Sequence, residues 1–393
     1  MSQKIDVSII SSGANIGDAR LHRLTNALLR QGLSVEIFAP GNQADAPAIS
    51  KTEGGEFNPP STPLIVRSCT SPWTRGKGFL PRYIRSRTFV FRARGKVIYA
   101  ISPEEFMPTY SWVKLRNLFS INNSKRKFAV DLYEDYIRLL QDRAWAKKYF
   151  GLLGAIAKSD TRSALWAASR ADLTTVADIQ VPPFDAKNRL VVRNLPDLSL
   201  LTDSGERSTT PRAIYIGDMR RSRGLAMMLD VAEKATHWEF DLVGPVAPAD
   251  QEFVKNWIAS HSDDAAGRVR FHGKLPPRDA WKFAKGAWVG LSLLEQTPAF
   301  VEAVPSKLYE YMAIGLATIS TPLPRCIQLI DASGGGAIAA DGNVVANQLE
   351  KWLENPADLD AARTRARRWA QENLDSDSEY GRFAQAIELL TQN

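Results

Sequence analysis

Apolar positions along the chain switch between two periods. Val7-Ser8-Ile9-Ile10 is a short β-prone run. After the turn at 11–17, apolar Leu21, Leu24, Leu28 and Leu29 recur on one helix face, which stops at Gly32. Val35-Glu36-Ile37-Phe38 then reads as a second strand. Strand, helix, strand in this order is a βαβ unit, whose crossover helix makes its two strands parallel. The rhythm continues with a strand at 97–101, an amphipathic helix at 107–120 and a strand at 128–132. A helical region rich in Ala, Leu and Trp follows, then a strand at 172–176. A polar stretch around 198–211 interrupts it. The pattern then restarts with strands at 213–217, 239–244, 269–273, 289–294 and 317–320 and a helix at 225–234. Two doubly wound α/β domains joined by a linker are predicted, with ligands beyond the carboxyl ends of the strands.

Composition narrows the class. The 393 residues leave room for about two domains. Their 44% hydrophobic and 24% charged content excludes disordered and low-complexity chains. Cys69 and Cys326 stand alone, with no CxxC or Cys/His cluster, which argues against a disulfide scaffold or structural zinc and for a reducing compartment. The start lacks the pattern of a signal peptide, and no run approaches the ~20 apolar residues of a membrane span. A cytoplasmic-side protein is expected.

The net charge of +7 is unevenly spread. Residues 1–200 hold 29 Lys and Arg against 17 Asp and Glu, and the remainder 21 against 26. The densest stretch, 67–96, carries Arg67, Arg75, Lys77, Arg82, Arg85, Arg87, Arg92, Arg94 and Lys96 without an acid. Trp73, Phe79, Leu80, Tyr83, Ile84, Phe89, Val90 and Phe91 interleave with them. Cations around apolar anchors suit the headgroup layer of an anionic membrane. The alternative is a solvated basic face with its aromatics in the core. No nucleic-acid recognition module is present, so a nucleic-acid partner is not expected.

Two loops can carry chemistry. After the strand at 289–294, Pro305-Ser306 opens a helix that Gly315 stops. The unpaired amides of its first turn form an anion site, and Lys307 there disfavours the dipole unless an anion is near. Glu302 and Glu310 flank it. The plainer reading is an ordinary connection with a surface lysine and two surface glutamates. In Gly217-Asp218-Met219-Arg220-Arg221-Ser222-Arg223-Gly224, several guanidinium groups follow a strand end, a chemistry suited to phosphate oxygens.

Residues 305–313 with 315–321 resemble the donor-binding segment of glycosyltransferase family 4, including its Glu–seven residues–Glu motif at Glu302 and Glu310. The resemblance implies the GT-B architecture: two Rossmann-like domains facing across a cleft. It places Glu302 beside the donor sugar, Glu310 on the ribose hydroxyls, and Lys307, Ser306 and Leu308 at the diphosphate. Gly217 and Gly224 match the family's other donor loop, with Arg223 where its lysine stands. Asp218 replaces the usual arginine, and Arg220 or Arg221 is expected to supply that cation. Glu302, Arg223 and Lys307 are the implied catalytic set. The first loop, with Gly13, Asn15, Asp18 and Arg20, is similar to the family's first strand–helix turn, and Arg20 is expected to reach an acceptor phosphate or the cleft. Tyr133 stands where many relatives have a cleft histidine, and Glu134 and Asp135 follow it. None of His22, His237, His261 and His272 offers a substitute.

Asp375-Ser376-Asp377 has the DxD form that holds a metal in other glycosyltransferases, but its place between two helices marks turn residues, so neither metal nor cofactor is expected. The predicted domains are an acceptor-binding 1–197, a linker 198–211, a nucleotide-sugar-binding 212–374, and a C-terminal helix 375–393 free to return to the first domain. The implied function is retaining transfer from a UDP- or GDP-sugar to a glycan or lipid-linked acceptor in cell-surface polysaccharide or glycolipid synthesis, peripheral at the inner membrane face. The alternative is a catalytically inactive protein that binds a nucleotide sugar or glycan on the same fold.

Overall fold

The computed structural model describes residues 4–13, 15–41, 64–68, 79–120, 125–141, 152–196, 198, 201–261, 265–298, 300–301 and 304–392. The chain forms two compact units, Met1–Asn194 with Asp377–Asn393, and Leu195–Ser376.

The first unit contains strands β1 (Val7–Ile10), β2 (Val35–Ala39), β3 (Leu64–Ser68), β4 (Val97–Ala100), β5 (Lys127–Leu132), β6 (Leu173–Val176) and β7 (Arg189–Val191). Its helices are α1 (Ala19–Arg30), α2 (Phe79–Arg92), α3 (Pro103–Leu118), α4 (Tyr136–Gln141) and α5 (Leu152–Ala168). The strands form one sheet in the order β3-β2-β1-β4-β5-β6-β7, paired parallel throughout. Its central strands are buried on both faces, which is why they read as continuous apolar runs. On one face Leu21, Leu24 and Leu28 of α1 share a core with Phe383 and Ile387. On the other, Phe89, Phe106, Val113 and Ala164 pack together.

The second unit contains β8 (Arg212–Ile216), β9 (Glu239–Val243), β10 (Val269–Gly273), β11 (Val289–Ser292), β12 (Ala317–Ser320) and β13 (Gly336–Ile338). Helices α6 (Leu225–Lys234), α7 (Gln251–Ser260), α8 (Ala265–Arg268) and α9 (Pro277–Lys282) come first. Then follow α10 (Ser306–Ala313), α11 (Pro324–Ser333), α12 (Gly342–Glu354) and α13 (Pro356–Asn373). The sheet order is β10-β9-β8-β11-β12-β13, again parallel. The last helix, α14 (Ser376–Gln392), supplies Phe383 and Ile387 to the core of the first unit.

Residues of the expected linker, from 201 on, bond to the second unit. Ser204 is buried, its Oγ donates to the Ile314 carbonyl at 2.6 Å, and its own carbonyl accepts from Gly286 N at 2.7 Å. Trp288 Nε1 donates to the Ser208 carbonyl (2.9 Å), and Arg207 grips Asp360 with two bonds of 2.7 and 2.8 Å. Polar residues that read as a spacer are the hydrogen-bonded lining of the second unit. Helix α2 also lies where the sequence offered only a basic stretch.

Candidate functional site

Strand order reverses between β8 and β11 in the second unit, and the loops after these two strands meet at that switch point. After β8, Gly217 adopts φ +147°, and a Cβ there would stand 2.6 Å from both Cε and Nζ of Lys307. Glycine is therefore the residue that lets the lysine lie over the strand-end backbone. The loop is zipped to its neighbour: Gly217 N donates to the Val243 carbonyl (2.8 Å) and Met219 N to the Pro245 carbonyl (2.9 Å).

Lys307 is the second residue of α10, whose N-cap, Pro305, provides no side-chain cap. Burial pulls the Lys307 ammonium below the ordinary lysine range; nearby Glu310 and Asp218 oppose this, and Arg223 adds to it. Among the described residues no carboxylate forms an ion pair with Lys307. Its Nζ sits 5.3 Å from the centre of the Tyr215 ring. Tyr215 is buried in β8, and its hydroxyl donates to the Asp218 carbonyl at 2.8 Å. Burial pushes that phenol up to about 12, with the Arg223 guanidinium pulling the other way. From α10, the Tyr311 hydroxyl accepts from Ile216 N at 3.1 Å, tying the helix to the end of β8. Lys307, Arg223, Glu310, Gly217 and the first turn of α10 thus converge. The two tyrosines that support them escaped the sequence reading; a phenol in an otherwise apolar strand, two residues before Gly217, was the available signal.

Other expected donor residues fall elsewhere. Arg221 pairs with Asp250 (3.3 Å) and lies 4.5 Å over the Phe253 ring, so it is turned to α7. Arg220 pairs with Asp218 at 2.9 Å, so the acid that departs from the family pattern binds the arginine expected to compensate for it. Leu308 is a core residue whose N–H already donates to the Pro305 carbonyl (3.0 Å). Ser306 opens α10 and is half-buried. Glu302 lies outside the described residues.

In the first unit the switch point falls between β1 and β4. Arg20 is not aimed at a ligand: its Nε and Nη2 bind Asp131 at 2.6 and 2.7 Å, and Nη2 also donates to the Val192 carbonyl (3.1 Å), all buried. Asp18 is the N-cap of α1, accepting from Arg20 N and Leu21 N at 2.9 and 3.0 Å. Asn15 accepts from Gly17 N (3.0 Å) within its own turn, and Asp135 accepts from Ile137 N and Arg138 N (3.1 Å each) at the start of α4. All four side chains bond within the first unit. Gly13 N donates to Ser102 Oγ at 3.2 Å, Tyr133 packs edge-on to Tyr136 at 5.9 Å, and Glu134 is exposed.

The groups that grip the first loop come from unexpected places. Arg85 is buried and donates to the Ser12 carbonyl (2.9 Å), and Arg82 pairs with Glu104 (2.8 Å). Buried Glu105 accepts from the backbone N–H groups of Ser12 and Ser102. Burial and Glu104 push its carboxyl up to about 8 against those bonds. Asp377 of the DxD segment pairs with Arg30 at 3.0 Å.

Residues 200–369 match the family described as glycosyl transferases group 1. No curated protein matches the chain in sequence. Many solved structures share the fold, three of which follow. Sucrose-phosphate synthase from Thermosynechococcus elongatus is 16% identical with a TM-score of 0.70, covering 99% of this chain and 100% of its own. Anabaena HepE in complex with UDP and glucose is 14% identical with a TM-score of 0.69, covering 98% and 100%. A glycosyltransferase from Rickettsia africae is 11% identical with a TM-score of 0.64, covering 100% of both. The fold is GT-B, with two Rossmann-like parallel-sheet domains, and the protein is an enzyme of the glycosyltransferase class, its second unit carrying the group 1 domain.

Proposed function

We propose that the enzyme transfers a sugar, with retention at the anomeric carbon, from a uridine diphosphate sugar to a hydroxyl of a glycan or lipid-linked acceptor. The observation that carries this reading is the half-buried Lys307, which has no carboxylate partner among the described residues, stacked over Gly217 beside Arg223 at the opening of α10. A desolvated cation at a helix N-terminus is arranged for a polyanion. The structure of Anabaena HepE, which resembles this fold, holds UDP and glucose, and this favours the uridine base.

In the proposed step the acceptor oxygen bonds to the anomeric carbon on the face from which the diphosphate departs, and the acceptor proton passes to the departing phosphate oxygen. Arg223, Lys307 and the α10 amides stabilise the charge that develops on that oxygen, a role usually worth several kcal/mol of barrier, roughly 3–4 for one donor. Glu302 aligns the sugar and Glu310 the ribose. No metal ion enters this step. Work in cell-surface polysaccharide or glycolipid synthesis, on the cytoplasmic side and peripheral to the membrane, fits the basic first unit.

A thermal-shift panel of UDP, GDP, ADP and dTDP tests the reading. UDP is expected to raise the melting temperature, and Lys307→Ala and Glu310→Ala to abolish the rise. UDP binding without cleavage of any UDP-sugar, whatever acceptor is offered, would identify an inactive binding protein instead.

A further inference from the structure

Helices α2 and α3 both end at the amino-terminal edge of the first unit's sheet, because each runs directly into a strand, β4 and β5. This is the end away from the loops that follow β1 and β4. Large apolar side chains gather there in water: Phe91 is 61% exposed, Leu115 51%, Leu118 78% and Phe119 84%. Phe91 meets Trp112 edge-on at 4.9 Å, which joins the two helix ends. Trp112, Leu115 and Phe119 recur at helical spacing along α3 and its C-cap. An apolar cluster of this kind on a soluble surface marks an interaction site.

The charged residues of the two segments themselves have one sign. No acid occurs between Phe106 and Lys127 or between Pro81 and Ala100. Arg92, Arg94, Arg116 and Lys125 are exposed around the apolar groups. Arg126 donates to the Ala93 carbonyl at 2.6 Å. Burial and then the charge of Arg116 pull its guanidinium down to about 10, with Glu36 opposing. Among the described residues Arg92, Arg94, Arg116 and Lys125 form no ion pair. Of the described part of the basic stretch read from sequence, Phe89 and Val90 lie in the core and Arg85 holds the first loop, while its end reaches this surface; Trp73, Arg75 and Lys77 lie outside the described residues.

We infer that the first unit docks on an anionic lipid surface through Phe91, Leu115, Leu118 and Phe119, with Arg92, Arg94, Arg116 and Lys125 among the headgroups. Apolar side chains enter the acyl boundary while cations hold the phosphates, and neither set alone gives stable attachment. A nucleic acid would use the cations and leave the apolar groups in water. This end of the unit lies away from the loops around Gly13 and Ser102, so docking leaves those loops clear of the bilayer. The inference stands apart from the donor chemistry proposed above.

Flotation of the full-length protein with phosphatidylcholine vesicles, with and without phosphatidylglycerol, tests it. The protein is expected to float only with the anionic vesicles and to be released by salt. Leu118→Ser with Phe119→Ser, and separately Arg94→Glu with Arg116→Glu, should each lower the bound fraction roughly tenfold or more. Both pairs should keep the wild-type melting temperature and the response to UDP. No flotation of the wild type, or flotation of both variants at the wild-type level, overturns the proposal. So does a concentration-dependent rise in mass that Phe119→Ser abolishes while vesicles capture nothing, which assigns the face to a second copy. Flotation by a protein that shows no UDP response supports docking and removes the donor reading alone.

Discussion

Arg20 and Lys307 occupy the same place in the two units: each is the second residue of the helix that follows a strand at the point where strand order reverses, Arg20 buried and Lys307 half-buried. They are treated in opposite ways. Burial would lower the Arg20 guanidinium, but Asp131 outweighs it and holds the group above its ordinary value. For Lys307 the charges of Glu310 and Asp218 oppose burial without forming an ion pair among the described residues, and burial wins. A buried cation closed by a carboxylate is part of the scaffold, whereas one beside glycine backbone and without such a pair is, in the function proposed above, the partner of an anion from outside. On that proposal the same position on one architecture serves stability in the first unit and ligand binding in the second.

Breaking the closed pair should have the largest effect. Asp131→Ala leaves Arg20 charged and unpartnered, and should lower unfolding free energy in urea by about 3–5 kcal/mol. Arg20→Met with Asp131→Leu should recover most of that, since an apolar pair of similar volume has no charge to desolvate. Removing the open cation should do the reverse. Lys307→Met is expected to weaken UDP binding in calorimetry by about 1.5–3 kcal/mol while leaving the ligand-free melting temperature equal or higher. A Lys307 variant that melts early yet binds UDP normally would dissolve the contrast.

Smaller changes sharpen it. Tyr215→Phe removes the hydroxyl that donates to the Asp218 carbonyl, and should lower UDP affinity by about 0.5–1.5 kcal/mol. The pH dependence is expected to be the gentlest signal. Because the folded Lys307 releases its proton below the ordinary lysine value, UDP affinity should fall as pH rises through that depressed pKa, with proton uptake on binding. Ligand-free stability should rise over the same interval, since the unfolded chain then holds the proton that the folded one has lost. Both slopes should vanish in Lys307→Met.

Much of the fold was legible because parallel strands buried on both faces leave dense apolar runs. The helix 225–234 and the strands 269–273 and 317–320 read from the pattern match the structure residue for residue. Strands β3, β7 and β13 and helix α2 were not read, being short edge segments or masked by charge. The convergence of Gly217, Arg223, Lys307 and Glu310 was legible through the resemblance of the two loops that carry them. The first unit was less so. Asp18, Asp135 and Asn15 are short polar residues whose capping and turn roles look in sequence like ligand roles, because both uses place the same side chains at strand ends.

Sequence by itself determined the alternation of strand and helix, the restart of that pattern in a second unit, the basic bias of the first half and the opening of α10 at Ser306. Each is local, written in residues a few positions apart. Only tertiary structure decided which cations are closed and which stay open. Asp131 lies 111 positions from Arg20, while among the described residues no carboxylate forms an ion pair with Lys307. It also decided which aromatics of the first unit face water. Partnership over such distances is set by sheet order and helix packing, which no local pattern encodes.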